Sequence, residues 1–269
     1  MGLHVERALV GMRVKSALLL SDLHLGWSIC ADQHAALLRH LPEAVGDAEL
    51  VVLNGDILDF HRGQPRGLEA DLVSAFIALC AQWRREGRRV VYVEGNHDTE
   101  QPGLEFRPDL KPDRWFFDWE GVNGERVRVL HGHRFDDRRY TSSHYERVGK
   151  HLLRAENHLY AHATPMRWVY PKGPGWFVGA VGFLEDVLWI RDFPARITPL
   201  LGEVDVLLHG HFHFGPSRRR ILSVDTWRTG AWVSQGHLGS VDRMLRYRGG
   251  RFERIGLDAG RLRVFHDGL

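Results

Sequence analysis

A chain of 269 residues with 43% hydrophobic content is long enough to bury a large core as one domain, with or without an insertion. Lys+Arg total 36 against 34 Asp+Glu, a net charge of +2, so the field of the whole molecule singles out no polyanionic or polycationic partner. Cys30 and Cys80 make no C-x-x-C pair, which argues against a disulfide framework and for a reduced, cytoplasmic compartment; Met1 to Met12 carries Glu6 and Arg7 and has no apolar core of a secretory signal.

In chain order, apolar β-like runs alternate with helical patterns. Ala17-Leu18-Leu19-Leu20 leads into Asp22-Leu23-His24, and Ala31 to Leu41 reads as a helix expected to stop at Pro42. Leu50-Val51-Val52-Leu53 runs into Gly55-Asp56, with Asp59 three residues on. Leu68 to Arg85 is a second helix, with Leu72, Phe76, Leu79 and Trp83 forming one apolar stripe beside Cys80, and Gly87 is its expected stop. Val90-Val91-Tyr92-Val93 precedes Gly95-Asn96-His97-Asp98. From Asp113 to Leu130 the pattern is strand-like and is broken by Gly121-Val122-Asn123-Gly124, whose Asn-Gly signals a hairpin; the second piece, Val127 to Leu130, precedes His131-Gly132-His133. Residues 138–195 are too many for a plain connection and too apolar for disorder. Ser143 to Ala161 is amphipathic with a basic side that includes Arg147 and Arg154. After a Pro/Gly break, Trp176 to Ile190 is apolar nearly all round, yet short of the ~20 residues that cross a bilayer and interrupted by Glu185 and Asp186. This segment is expected to be a helical insertion, a lid over the candidate site. Val204 to Leu208 then leads into Gly210-His211-Phe212-His213. Arg219 to Val224, Ala231 to Ser234, Arg243 to Tyr247 and Arg261 to Phe265 suit an antiparallel second sheet.

Each of the polar blocks stands just past an apolar run and holds metal-ligand side chains. Parallel neighbouring strands put such blocks along one sheet edge, so they converge. Asp, His and Asn without Cys suit Mn²⁺, Fe or Zn²⁺. Taken singly, Asp22 would read as an N-cap, a reading the joint order outweighs; Asp59 and Asp98 stay open between orienting a neighbouring group and local turn hydrogen bonding.

The order D-x-H, G-D-x-x-D, G-N-H-D, H-G-H, G-H-x-H, from Asp22 to His213, resembles the calcineurin-like metallophosphoesterase family. The resemblance implies an α/β fold: a two-sheet sandwich flanked by helices, a single domain over residues 1–269, with the insertion at 138–195. It also implies two divalent ions, Mn²⁺ first, with Fe or Zn²⁺ as alternatives. Asp22, His24 and His213 would hold one ion, Asn96, His131 and His211 the other, and the Asp56 carboxylate would lie between them. The expected reaction is hydrolysis of a phosphoester or pyrophosphate by a metal-bridging hydroxide that attacks phosphorus. His97 would protonate the leaving oxygen; Asp98 and Asp59 would orient His97 and a metal-bound imidazole. His133 and His209, which flank expected ligand positions, are not expected to bind metal.

Within that family the insertion resembles the UDP-2,3-diacylglucosamine diphosphatases of lipid A biosynthesis, whose D-D-x-x-Y is echoed by Asp136-Asp137-Arg138-Arg139-Tyr140. The chain departs from them at His97 and His133, where they read Arg and Asp. Asp137, Tyr140, Arg147 and Arg154 are the expected substrate contacts. The partner implied is a small phosphoester or a lipid-linked substrate, with peripheral contact at the inner face of a membrane through the insertion. The alternatives are a broad phosphodiesterase or phosphatase acting on nucleotides or other small phosphoesters, and a non-catalytic scaffold such as a retromer subunit. Nucleic acid is not an expected partner, because Arg84-Arg85, Arg88-Arg89 and Arg218-Arg219-Arg220 are dispersed and not interleaved with aromatics.

Overall fold

The computed structural model describes residues 12–26, 30–59, 65–98, 114–135, 195, 197–202, 204–211, 218–232, 243–258 and 260–265. Of the expectations above, those for His213, Asp137, Tyr140, Arg147, Arg154 and the insertion at 138–194 lie outside the described residues.

Two sheets face each other. The first contains β1 (Ser16–Leu20), β2 (Leu50–Asn54), β3 (Arg89–Val93), β9 (Arg243–Arg248), β10 (Arg251–Asp258) and β11 (Arg261–Phe265), in the order β11-β10-β9-β1-β2-β3. β1, β2 and β3 run parallel, while β9, β10 and β11 are joined antiparallel. The second has the order β4-β5-β6-β8-β7, from β4 (Phe116–Glu120), β5 (Arg126–Leu130), β6 (Val206–His209), β7 (Arg218–Ile221) and β8 (Val224–Arg228), with β5, β6 and β8 parallel.

The apolar runs are continuous because both faces of the central strands are covered. Along β1, Ala17 and Leu19 point into the space between the sheets, where they meet Val52, Val91, Phe117, Val129 and Trp227. Leu18 and Leu20 point the other way, onto helices α1 (Ala31–Val45) and α2 (Leu68–Arg85), against Leu37, Leu41, Phe76 and Trp83. The outer face of the second sheet buries Leu130, Leu207 and Val224 under Ile197, Leu201 and Val204. Among the described residues, no helix is long and apolar enough to cross a membrane.

Three expectations are corrected. α1 does not stop at Pro42 but continues to Val45. Leu41, Ala44 and Val45 are buried against the sheet, and that packing outweighs the one backbone bond the proline cannot donate. The run Arg219 to Val224 is not one strand: it holds the turn between β7 and β8, with Leu222 at a φ of 53°. The late strands do not form a second sheet of their own. β7 and β8 complete the second sheet, whereas β9, β10 and β11 extend the first beside β1. The hairpin at Asn123-Gly124 joins β4 to β5 as read, and Cys30 and Cys80 are buried thiols outside any disulfide.

His34, on the buried face of α1, donates from Nε2 to the Leu23 carbonyl at 2.6 Å. Burial, only partly offset by that bond, lowers its pKa to about 4. An unfolded imidazole titrates near 6.5, so between these values the unfolded chain takes up a proton that the native protein refuses. Stability present above pH 6.5 is therefore lost as pH falls towards 4, by about 3 kcal/mol. Urea midpoints of metal-free protein at about pH 7.5 and about pH 4.5 should differ less for His34→Gln than for wild type. Equal acid sensitivity would refute the assignment.

Candidate metal centre

Asp22 and His24 follow β1, Asp56 follows β2, Asn96 and His97 follow β3, His131 follows β5 and His211 follows β6. Past their last paired residues, the β1 and β2 chains stay zipped together. Asp22 N–H donates to Gly55 O at 3.0 Å, His24 N–H to Asp56 O at 2.9 Å, and Asp59 N–H to Leu25 O at 2.9 Å. The other sheet is brought in by Asn54. Its side-chain amide donates to Leu130 O and to Thr229 Oγ1, both at 3.2 Å. Its carbonyl accepts from Ser21 Oγ and from His131 Nδ1, each at 2.8 Å. The backbone carbonyl of Asn54 can only accept, so Nδ1 of His131 carries a proton and Nε2 is left as the atom that could bind a metal. His24 is held likewise, with Nδ1 at 3.0 Å from Asp59 Oδ2.

Ligand atoms of Asp22, His24 and Asp56 lie within 4.8 Å of one another, and so do those of Asp56, His131 and His211. Asp56 is common to both sets. Its Oδ2 stands 3.3 Å from His131 Nε2 and 3.8 Å from His24 Nε2, and Asp22 Oδ1 is 3.9 Å from His131 Nε2. His131 Nε2 is buried without a well-aligned hydrogen bond. All five residues are buried. Two adjacent buried carboxylates require a compensating cation. The metal-free electrostatics show this demand. Burial favours a neutral His131, yet Asp56 and Asp22 outweigh it and raise the imidazole to about 10. Burial would raise Asp56, but His131, His97 and His24 hold it well below the usual carboxylate range. Divalent ions would supply the charge that this proton supplies here, and an Asp/His/Asn donor set fits Mn²⁺, Fe or Zn²⁺.

Backbone strain gathers at the same place. Asp22, His24, Asp56 and His211 have φ of 52°, 48°, 52° and 68°, and Leu222 is the one other non-glycine residue with positive φ among those described. Such conformations cost about 1–3 kcal/mol each and mark sites where position matters more than stability. The glycines beside them are required by close approach. A Cβ at Gly55 would lie 2.3 Å from His131 Nδ1, and one at Gly95 would lie 2.2 Å from Asp56 Oδ1.

His97 stands at the open side of the cluster, its side chain 22% exposed. Its ring edges against that of His24, with centroids 4.7 Å apart, and its backbone amide donates to Asp56 Oδ1 at 2.8 Å. Asp59 lies between the two imidazoles, with Oδ1 3.3 Å from His97 Nδ1 and Oδ2 3.0 Å from His24 Nδ1. Asp98, expected to help orient His97, instead turns its carboxylate to the Tyr92 hydroxyl and to the amides of Asp56 and Gly95. The turn Gly95 to Asp98 folds the carboxylate back onto its own loop, so Asp59 alone of the pair faces His97. Burial, then the charge of Asp56, pushes Asp98 up to about 7. His133 packs its ring 5.5 Å from that of His131 and 6.5 Å from that of His211, in no ligand set among the described residues, and burial lowers it to about 3. His209 is pulled down to about 4 by burial. Asn96 sits half-buried in the turn beside His97.

Sequence reasoning passed over Ser21, Asn54 as a link between sheets, Tyr92 and Thr229. The one hydroxyl proton of Ser21 is shared between Asn54 O and Asp22 Oδ2, and Thr229 Oγ1 donates to His209 O at 3.0 Å. The available signal was a polar side chain closing an otherwise apolar strand, as Asn54 does.

The sequence profile of the calcineurin-like phosphoesterase family matches residues 16–215. Similar solved structures include a dimetal phosphatase from Danio rerio, 14% identical over 90% of this chain and 96% of that one, with a TM-score of 0.42. A cold-active protein-tyrosine phosphatase from a psychrophilic Shewanella is 17% identical over 95% and 82% (TM-score 0.41). Vps29 from Chaetomium thermophilum is 14% identical over 94% of each chain (TM-score 0.43). No curated protein matches the chain.

Proposed function

The chain belongs to the calcineurin-like phosphoesterase family, and on that premise we propose that it hydrolyses phosphoester or pyrophosphate bonds with two divalent metal ions, Mn²⁺ the first choice. The observation that carries the reading is the sharing of Asp56 between two sets of ligand atoms. Asp22 and His24, with His213, would hold one ion; Asn96, His131 and His211 would hold the other. When bound, such a pair supplies Lewis acidity to the phosphoryl group and acidifies water near neutral pH.

The chain's own residues do the rest. Asn54 and Asp59 fix the tautomers of His131 and His24, so that each presents Nε2. Asp59 at Nδ1 of His97 leaves Nε2 as the nitrogen that delivers a proton to the leaving oxygen. The partial exposure of His97 lets a substrate reach it, while the burial of Asp22, Asp56 and His131 keeps bulk water from competing for their charges.

For the substrate we propose an amphiphilic pyrophosphate of the UDP-2,3-diacylglucosamine kind. The support is the Asp136 to Tyr140 resemblance and the apolar composition of 176–190. Chelator-treated protein should be inert and should regain hydrolysis on addition of Mn²⁺. Assays should compare UDP-2,3-diacylglucosamine, bis-p-nitrophenyl phosphate and p-nitrophenyl phosphate. Mn²⁺-dependent turnover of the lipid-linked substrate well above the chromogenic ones supports the full reading. Turnover of the chromogenic diester alone leaves a general phosphodiesterase. No chelator-sensitive hydrolysis of any of the three would overturn the enzyme assignment.

A further inference from the structure

At the ends of β2 and β3, a buried tyrosine hydroxyl connects to the backbone of the shared aspartate through one carboxylate. Tyr92 Oη donates to Asp98 Oδ1 at 2.6 Å. Asp98 Oδ2 accepts two amides at once, Asp56 N–H at 2.7 Å and Gly95 N–H at 2.8 Å. The Asp56 carboxylate in turn accepts the His97 amide at 2.8 Å on Oδ1. Tyr92, Asp98 and Asp56 are all buried, so no water is at hand to replace a missing partner. The register of the sheet sets Tyr92 opposite Leu53, next to the loop that carries Asp56.

These contacts lock a conformation that Asp56 would not adopt unaided. Its φ of 52° is left-handed, and the amide at that strained residue is the one Asp98 holds. The fit is tight from the other side too, since a Cβ at Gly95 would come within 2.3 Å of Asp56 N and 2.9 Å of Asp98 Oδ2. A single carboxylate oxygen therefore ties together the loops after β2 and β3, and the other oxygen accepts, among the described residues, from Tyr92.

We propose that Tyr92 is a positioning residue of the metal centre: its hydroxyl holds Asp98 in the orientation that fixes the Asp56 amide, and through it the direction of the shared carboxylate. The proposal rests on the two-metal reading of the site. Removing the hydroxyl leaves Asp98 Oδ1 buried without that partner, and the carboxylate recovers one by turning away from the two amides. Asp56, its amide released, then relaxes toward ordinary φ, which swings its carboxylate away from His24 and His131.

The test is Tyr92→Phe, which deletes one oxygen and keeps the ring packed against the helices. Mn²⁺ affinity and stoichiometry are measured by calorimetry, and the exchange-coupled signal of a manganese pair by electron paramagnetic resonance. Tyr92→Phe should fold as wild type by near-ultraviolet circular dichroism, bind Mn²⁺ about 10–100-fold more weakly, as expected when a partner behind a ligand is lost, and show a weakened coupled signal. Activity should recover at high Mn²⁺ with KM for the phosphoester unchanged. Asp98→Asn should lose more, because a carboxamide has one accepting oxygen where the carboxylate uses two, and adding Tyr92→Phe to it should cost nothing further. Wild-type affinity and coupling in Tyr92→Phe, or full additivity of the two substitutions, would overturn the proposal. If Asp98→Asn does not fold, Tyr92→Phe decides alone. A wild type that binds no metal pair would instead refute the reading of the site on which the proposal rests.

Discussion

Asp56→Ala should abolish hydrolysis and release most of the bound metal. The carboxylate is common to both sets of ligand atoms, and it balances the charge that Asp56 and Asp22 draw onto His131. Without it, two dications about 3.5–4 Å apart would face each other with no shared anion, so neither ion is held at full affinity. Residues that act as a unit lose nearly everything when one is removed, and the expected fall in kcat/KM is about 10⁴-fold or more. Ala accepts a left-handed φ less readily than Asp and leaves the His97 amide without its acceptor, so the metal-free variant should melt somewhat below metal-free wild type while showing the same circular dichroism at room temperature, which separates lost function from lost fold. Elemental analysis that still finds two ions per chain, or turnover within about tenfold of wild type, would show that Asp56 does not bridge.

His97→Ala should leave metal content near wild type and lower turnover by roughly 10²–10⁴-fold, the usual contribution of a positioned general acid. His97 is in neither of the two ligand sets that share Asp56, and its side chain is reachable from solvent. A proton donor matters most when the leaving oxygen is basic, so the loss should be large for alkyl phosphoesters and small for p-nitrophenyl esters. Asp59→Asn should show the same dependence on leaving group, with an added effect on metal affinity because Asp59 also holds His24. Equal losses for both leaving groups would make His97 a residue that positions substrate instead.

The parallel strands and the loops behind them were legible because strands buried on both faces are apolar along their whole length, as Ala17 to Leu20 and Leu50 to Leu53 are, and because ligand side chains follow them at once. The convergence of Asp22, His24, Asp56, His131 and His211 followed from that order. What escaped was set by tertiary contact. Pro42 reads as a helix stop until the packing of Ala44 and Val45 is seen. β10 has Arg, Glu and Gly within it and shows no clean alternation, so its place beside β9 could not be read from its residues. The division of labour between Asp59 and Asp98 depends on a turn that reverses the chain within three residues, and no pattern of residue types reveals which way a carboxylate then faces.

The position of β1 in the first sheet carries a consequence for where the chain can be cut. The stretch matching the family ends at 215, before β7, β8, β9, β10 and β11. By that point Asp22, His24, Asp56, Asn96, His131, His211 and His213 have all been made. Yet β1 pairs on one side with β2 and on the other with β9, through Ser16 to Leu19 against Arg248 to Leu245. A fragment trimmed at the family boundary would turn an interior strand into an open edge, with Ala17 to Leu20 offering unpaired amides and carbonyls on an apolar ribbon. Open apolar edges recruit other chains. Such a fragment would contain all of these side chains and would aggregate before using them.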